Sequence, residues 1–204
     1  MLVVPVARSD WPTVTAVPIV AGRVSDDRLA AMASAAKGRP YSYPEVGATK
    51  GEFPGGYRIE RRAVDLGDAA LFGRAADGLR SWQVQRGAGA RVAPADASVI
   101  PEQTVVVALS FVVVTIVATC RIVYVTEEPY RFGFAYRTLT GHPEQGEESF
   151  HVVREGETVR FEIASFSRPV HPLARMGLPV THLLQERVTR RYLAALETFV
   201  RQTE

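Results

Sequence analysis

Helical signals mark three parts of the chain. Residues 26–37 begin with two aspartates and stop before Gly38 and Pro40, which predicts a short first helix. Apolar side chains at three- and four-residue spacing predict a second helix over 67–83 and a long third helix over 179–202. The third helix carries one continuous apolar stripe and must bury it against another element.

On both sides of the second helix, and before the third, short apolar segments with branched and aromatic side chains predict β-strands. The expected strands cover 57–65, 84–93, 104–111, 112–126, 132–139, 149–155 and 158–166. A tight hairpin is predicted at Glu155-Gly156-Glu157, between the last two strands. A loop rich in Pro, Gly and Tyr covers 41–56, and loops of this length are often functional.

The segment from Thr104 to Cys120 has two interpretations. It contains 17 residues without a charge, which is close to the length of a membrane-spanning helix. However, 11 of the 17 are Val, Ile or Thr, whose branched β-carbons favour a pleated strand. We therefore expect buried β-structure and no integral membrane segment. The sequence leaves open whether 104–126 forms one bent strand or two strands with a turn near Ser110–Val112.

Consecutive strands followed by one long amphipathic helix predict an α+β protein. The expected architecture is a curved antiparallel sheet of about seven strands that grips the C-terminal helix. This arrangement is similar to the helix-grip fold of START and birch-pollen-allergen-like proteins, which usually enclose an apolar cavity. We expect an N-terminal extension over 1–25 and a single helix-grip domain over 26–204.

Composition argues against some classes of function but does not identify the function. The net charge of +2 is too small to indicate nucleic acid as a partner. Cys120 is the single cysteine, and charges at Arg8 and Asp10 interrupt any apolar leader, so we expect a cytoplasmic protein. A buried, inert thiol is favoured at Cys120 over a nucleophile. No phosphate loop, dinucleotide fingerprint or nucleophile elbow occurs, and no cofactor is predicted.

Candidate chemistry concentrates in the stretch Arg131–Phe150. Side chains alternate along a strand, so Phe134, Tyr136 and Thr138 should share one face of the strand over 132–139. One interpretation has these side chains lining a ligand cavity, with two hydroxyls directed into it. The alternative is a packed core in which both hydroxyls bond to backbone or water.

The segment 141–148 that follows is predicted to be a turn braced by glycine and proline. His142 with Glu147 or Glu148 could form an acid–base pair at the rim of a cavity. The alternative, which we favour, is a hydrogen-bonded loop whose carboxylates accept backbone amides. One histidine among several carboxylates is a weak metal signal, and no metal site is predicted.

Arg168 lies in the motif Ser167-Arg168-Pro169 at the end of the last strand. Its planar guanidinium could hold an anionic group of a ligand. An internal salt bridge with Glu147 or Glu148 is the more ordinary role, and we favour it.

Several motifs in this order resemble one protein family. They are YPEVGAT at 43–49, PGGY at 54–57, LRSW at 79–82, CRIVYV at 120–125, GFAYRTLTGHPEQGEESF at 133–150, FSRP at 166–169 and RYL at 191–193. Together they resemble the bacterial and plant family called domain of unknown function nineteen-ninety, over about residues 30–200. The resemblance implies the helix-grip architecture but no settled activity. Arg137 departs from the family pattern, which tends to have a small residue there.

Three functions of different class remain. The first is a binding protein for a small, mainly apolar molecule held between the sheet and the C-terminal helix, with Phe134, Tyr136, Thr138 and Arg168 as ligand contacts. The second is an enzyme acting on such a ligand, with His142, Glu147 or Glu148, and Tyr136 as its polar groups. The third is a structural or partner-binding module with a filled core. The sequence predicts neither the ligand nor the oligomeric state.

Overall fold

The computed structural model describes residues 19–140, 142, 144–169 and 178–202. Within these ranges the strands are β1 (Ile19–Ala21), β2 (Arg58–Asp68), β3 (Ala90–Ala93), β4 (Thr104–Ser110), β5 (Val114–Glu128), β6 (Arg131–Thr138), β7 (Glu144–Glu155) and β8 (Thr158–Pro169). The helices are α1 (Asp26–Ala35), α2 (Phe72–Arg80), α3 (Gln83–Gly87) and α4 (Leu178–Arg201), with single 3₁₀ turns at Ala48–Lys50 and Ala69–Leu71.

All strands belong to one antiparallel sheet, in the order β2-β8-β7-β6-β5-β4-β3. The short strand β1 pairs with the start of β5. The segment 104–126 therefore forms two strands, which settles the question that the sequence left open. The antiparallel sheet and the long C-terminal helix confirm the predicted fold class.

The inner face of the sheet is the face that packs against α2, α3 and α4. Its centre is filled by aromatic rings: Trp82 lies 5.1 Å from Phe134, Phe134 lies 5.3 Å from Phe150, and Phe150 lies 5.8 Å from Tyr192 of α4, between ring centroids. Trp82, Phe134 and Phe150 are buried almost completely. These contacts bury a large apolar area and join the helix layer to the sheet.

The outer face is also covered. Over β3, β4 and β5 it packs against α1, where Leu29 and Ala33 contact Val106 and Val117. Over β7 and β8 it packs against the loop 41–57, whose aromatic rings surround one phenylalanine of β8. That ring is Phe166, with Tyr43, Phe53 and Tyr57 at centroid distances of 5.5, 5.7 and 5.1 Å. Polar residues on this face are therefore buried as well.

The prediction of a turn over 141–148 is wrong for most of its length. Strand β7 already begins at Glu144 and pairs with β8 from Glu144↔Pro169 onwards. Gly146 lies within this ladder, against the backbone of Phe166 and Ser167, so it marks a close approach of two strands. The expected bracing by Gly141 and Pro143 lies outside the described residues.

The second predicted helix is interrupted. Strand β2 continues to Asp68, α2 ends at Arg80, and Trp82 adopts a positive φ of 61° before α3 begins. The Trp82 indole nitrogen donates to the Ala97 carbonyl at 2.8 Å, which holds the buried ring in this break. The predicted strand over 84–93 is correspondingly reduced to Ala90–Ala93, since its first part belongs to α3.

The end of the predicted N-terminal extension packs against the sheet. Residues 19–21 form β1, and Val24 is buried beside α1. Residues 1–18 lie outside the described part of the chain. In the described ranges, no helix is both long and apolar enough to cross a membrane. Thr104–Cys120, the most apolar segment, belongs to β4, β5 and the turn between them.

Gly78 of α2 and Gly87 of α3 allow these helices to approach α4 closely. Gly87 provides a test of this packing. A β-carbon added at Gly87 would lie 2.8 Å from the β-carbon of Ala195 on α4. We expect Gly87→Ala to lower the free energy of unfolding by about 1–3 kcal/mol because neither helix backbone can move away freely. The measurement is urea denaturation followed by circular dichroism.

The matched control is Gly73→Ala in α2, where an added β-carbon meets nothing within 4 Å. This change should stabilise the protein by up to about 1 kcal/mol through helix propensity. Adding Ala195→Gly to Gly87→Ala should restore part of the loss. Equal effects of the two Gly→Ala changes would contradict the proposed close contact.

Candidate functional site

Strand β7 directs its two adjacent glutamates to opposite faces of the sheet. Glu147 is paired in register with Arg137 on the outer face, and Glu148 is paired with Tyr136 on the inner face. This separation follows directly from the two-residue period of a strand. The two carboxyl groups therefore lie in different environments and have to be considered separately.

Glu148 lies beneath α4 beside two tyrosines. The Tyr136 hydroxyl donates to Oε2 of Glu148 at 2.9 Å, and Tyr192 of α4 packs on the same part of the inner face. Burial raises the pKa of Glu148 to about 7, with the charges of Glu60 and Glu144 adding to the increase. The residue keeps partial contact with solvent. Glu148 is thus a half-buried residue whose carboxyl group has a pKa near neutral pH.

Further polar side chains extend from Glu148 toward the first half of α4. Gln185 donates to Oε2 of Glu144 at 2.6 Å and accepts from Nη1 of Arg58 at 2.7 Å. Arg58 also lies 3.4 Å from Glu186 and 3.6 Å from Glu60. These contacts connect strands β2 and β7 to α4 through hydrogen bonds.

The side chains between these groups are small. Ser165 and Ser167 of β8 lie on the inner face between the carboxyl groups of β2 and those of β7, and Gly146 of β7 is the register partner of Ser167. Ser165 is the register partner of both Glu60 and Glu148. The inner polar patch is defined here as Arg58, Glu60, Glu144, Glu148 and Gln185, together with the hydroxyl groups of Tyr136 and Tyr192.

Glu147 has a structural role on the outer face. Its carboxylate accepts hydrogen bonds from the Tyr43 hydroxyl at 2.8 Å, the Gly47 amide at 2.8 Å and the Thr49 amide at 3.1 Å. The Thr49 hydroxyl donates to the same carboxylate. Four donors from the loop 41–57 therefore converge on one buried carboxylate. This geometry matches the favoured interpretation, in which a carboxylate accepts backbone amides.

Arg137 is buried on the outer face beside Glu147. Its guanidinium group packs on the ring of Tyr41, and its Nε and Nη1 atoms have no hydrogen-bond partner in the described structure. Burial lowers its pKa to about 10. The position that departs from the family pattern thus lines neither the inner face nor the solvent surface.

His142 lies in the turn between β6 and β7, where its ring bonds to its own loop. Nδ1 accepts from the Glu144 amide at 3.0 Å. Burial lowers the pKa of His142 to about 4, so the ring is neutral at pH 7. Its hydrogen bonds with the described residues go to Glu144 and not to Glu147 or Glu148. The predicted acid–base pair is therefore not formed in this structure.

The remaining candidates divide between the faces. Phe134 joins Tyr136 on the inner face, as the alternation predicted. The Thr138 hydroxyl is occupied by the Gly146 amide at 3.1 Å and by the Ser42 hydroxyl at 2.6 Å. Arg168 lies on the outer face, where its Nε donates to Gln145 at 3.0 Å and its guanidinium group stacks on Tyr57. The salt bridge from Arg168 to Glu147 or Glu148 is not formed among the described residues.

Cys120 is also on the inner face and is almost fully buried. Burial raises the pKa of its thiol well above the usual value, and the charge of Glu148 adds to the increase. A protonated, enclosed thiol agrees with the inert role expected from the sequence.

Comparison with known proteins identifies the family. The model of the family described as Domain of unknown function (DUF1990) matches residues 42–195, which is more than half of the chain. The chain belongs to this family. Its match to the family begins at the loop that Glu147 holds and ends within α4.

Relatives in the family are similar over shorter segments. A UPF0548 protein from Deinococcus radiodurans is 40% identical over 79 residues, covering 38% of this chain and 40% of the relative. A UPF0548 protein from Arabidopsis thaliana is 39% identical over 77 residues, covering 34% of this chain and 38% of the relative. The matched segments thus span about two fifths of these relatives.

Solved structures with low sequence identity share the fold. A hypothetical protein from Helicobacter pylori superimposes with a TM-score of 0.53 at 11% identity, covering 79% of this chain and 96% of that one. The structure of Ara h 8.0201 gives a TM-score of 0.50 at 10% identity, covering 71% and 98% of the two chains. These similarities establish the helix-grip architecture of the DUF1990 family member and no more than the architecture.

Sequence reasoning missed most of the inner polar patch. Glu60 and Arg58 alternate with Ile59 along β2, a pattern that also fits a strand with its polar face in solvent. Tyr192 fits the apolar spacing of the last helix, so its position in the sequence predicts packing and not a polar contact. The sequence feature that indicates the patch is the series of charged residues at every second position of β2. The amphipathic C-terminal helix must pack against the sheet and can cover this face.

The role of Glu147 predicts a large loss of stability for Glu147→Gln. The amide group of glutamine would present its own N–H donors to a site where four donors already converge. We expect the free energy of unfolding to fall by about 3 kcal/mol or more. Denaturation in urea measures the loss, and hydrogen exchange should become faster at the Gly47 and Thr49 amides.

Glu157→Gln, in the exposed β7–β8 hairpin, is the matched control and should change stability by less than about 0.5 kcal/mol. A Glu147→Gln protein with wild-type stability and wild-type exchange at Gly47 would contradict the structural role of Glu147.

The raised pKa of Glu148 predicts how stability depends on pH. The folded state binds the Glu148 proton more tightly than the unfolded state, whose value is 4.5. Wild-type stability should therefore be reduced by this group as pH rises from about 4 through 7. Glu148→Gln removes the contribution, so the stability difference between wild type and variant should shift by about 2–3 kcal/mol in favour of the variant between pH 4 and 8.

Comparing wild type with Glu148→Gln at each pH also cancels the contributions that other titrating groups make to the pH dependence of stability. His142 and His151 have lowered pKa values of about 4 and act in the opposite direction, but they contribute equally to both proteins. Urea denaturation at a series of pH values measures the difference. A difference that does not change with pH would show that the pKa of Glu148 is not raised by folding.

Proposed function

We propose that this protein binds a small, mainly apolar molecule at the inner polar patch, between the sheet and α4. The observation that carries the proposal is the half-buried Glu148, whose carboxyl group is hydrogen-bonded by Tyr136 at the border between the aromatic centre of the inner face and the inner polar patch. Sites for small molecules commonly combine apolar walls with a few polar groups that fix orientation. Glu148 and Tyr136 supply such groups here.

The arrangement of aromatic rings favours one end of the inner face for the ligand. The centre of the face is filled by Trp82, Phe134 and Phe150. Beyond Phe150, small side chains at Gly146, Ser165 and Ser167 replace these rings. The body of the ligand would lie against Tyr136 and Tyr192, and its polar group would meet Glu148.

A second candidate function is an enzyme that transfers a proton to or from the bound molecule. Its specific support is the pKa of Glu148, about 7, which suits a group that both accepts and donates a proton near neutral pH. Tyr136 would hold the carboxyl group in position. Recovery of a bound molecule unchanged supports binding alone, whereas its conversion, abolished by Glu148→Gln, supports catalysis.

Blocking the inner polar patch tests the binding proposal. The probe is N-phenyl-1-naphthylamine, an uncharged fluorophore that responds to apolar sites, titrated into the full chain. Ser165→Phe should fill the space between Glu60 and Glu148 and weaken saturable binding at least about tenfold, which corresponds to about 1.4 kcal/mol. Energy transfer from Trp82 to the probe, measured in a Trp11→Phe background, reports proximity because the chain has two tryptophans.

Ser98→Phe introduces the same side chain in an exposed loop and should leave binding unchanged. Equal binding by wild type and Ser165→Phe would place the probe elsewhere and contradict the proposal. Absence of any saturable binding would favour the structural or partner-binding module instead.

A further inference from the structure

We propose that the ligand of the inner polar patch carries a protonated amine, an ammonium group on an apolar or aromatic body. This inference rests on the proposed function and adds the chemical class of the ligand. It follows from the charges, the hydrogen bonds and the aromatic rings around the patch.

Negative charge is in excess at the patch. On the sheet, Glu60, Glu144 and Glu148 lie on the inner face, and Glu186 of α4 lies at its edge. The cations that accompany them are Arg58 and Arg62 of β2, and the Arg62 side chain is 49% exposed. Among the described residues, and with every carboxyl group ionised, the formal charges are thus four negative and two positive, which favours a cationic group over a neutral or anionic one.

Within the inner polar patch, Glu60 has ion pairs but an incomplete set of hydrogen bonds. Its side chain is 9% exposed, and its buried Oε1 atom has no hydrogen-bond donor in the described structure. Arg62 and Arg58 approach its two oxygens only to 3.6 Å. A buried carboxylate oxygen without a donor is energetically costly, so a ligand that donates a hydrogen bond here would be stabilised.

Glu148 and Glu60 lie on either side of Ser165, so one group could interact with both carboxylates. An ammonium group suits this position because it carries up to three N–H donors and a positive charge. Tyr136 donates a hydrogen bond to Glu148 and Tyr192 packs beside it, so aromatic rings lie next to the carboxylate with which the cation would pair. An anionic ligand would instead add to the repulsion among the three sheet carboxylates.

Binding of an ammonium group is coupled to the protonation of Glu148. A nearby positive charge favours the ionised carboxylate, so the cation binds most tightly when Glu148 has lost its proton. Tyr136, Tyr192 and Cys120, which also face Glu148, stay protonated because burial raises each of their pKa values. Affinity should therefore rise about tenfold from pH 6 to pH 8, as Glu148 passes through its pKa of about 7.

Three probes with one carbon skeleton test the charge requirement. They are 1-naphthylmethylamine, which is protonated throughout this pH range, the neutral 1-naphthalenemethanol and the anionic 1-naphthoic acid. Isothermal titration of the full chain at pH 6, 7 and 8, in buffers of different ionisation enthalpy, gives affinity and the number of protons released. We expect the amine to bind at least tenfold more tightly than the alcohol, with proton release near pH 7 and no measurable binding of the acid.

Two variants connect the result to the patch. Glu148→Gln should abolish proton release and the pH dependence and weaken the amine about tenfold, while the alcohol changes less than threefold. Glu60→Gln should also weaken the amine several-fold but retain the pH dependence, since Glu148 remains. The control Glu157→Gln, in the exposed hairpin, should behave as wild type.

The outcomes separate the two proposals. If the alcohol binds as tightly as the amine and Ser165→Phe weakens both, the binding function stands and the ammonium inference is wrong. Preferential binding of the acid also overturns the inference. If none of the three probes binds, and N-phenyl-1-naphthylamine does not bind either, both proposals fail.

Discussion

The period of strand β7 is the constraint on which both faces of the sheet depend. Because successive side chains alternate, Glu147 and Glu148 enter two separate environments from adjacent positions. A shift of register by one residue would exchange them, leaving four loop donors without an acceptor on one face. The twelve-residue ladder with β8 prevents such a shift.

The two carboxyl groups illustrate how hydrogen bonding decides the role of a buried acid. Glu147 receives four donors from the loop 41–57, so its hydrogen-bonding capacity is used by the protein itself. Glu148 receives a donor from Tyr136 and lies near the charges of Glu60 and Glu144. Burial and these charges raise its pKa to about 7, whereas the Tyr136 hydrogen bond acts in the opposite direction. The first arrangement fixes a loop, and the second creates a group that responds to its surroundings.

The sequence predicted the fold well because its strongest signals are periodic. Alternation over 132–139 placed Phe134 and Tyr136 on one face, and the apolar stripe over 179–202 identified the helix that covers them. Predictions failed where a residue type that usually marks one local structure also occurs in a different one. Gly146 indicated a turn but allows two strands to approach closely, and Trp82 continued a helical spacing but occupies a positive φ where the helix breaks.

The functional patch was harder to predict because alternation does not reveal which face of a strand is covered. In β2 the polar positions 58 and 60 face α4, while Ile59 is 45% exposed, the reverse of the usual pattern. Both faces of β7 are covered, and its polar side chains are therefore buried at positions where apolar side chains are the usual choice. The stability of the fold explains Glu147, since the loop 41–57 depends on it. It does not explain Glu60, whose buried oxygen has no donor among the described residues. Gln85 and Arg137 also have buried polar atoms without a partner in the described structure. Of these three residues, only Glu60 lies in the inner polar patch beside Glu148, where a donor on a ligand would complete its hydrogen bonding.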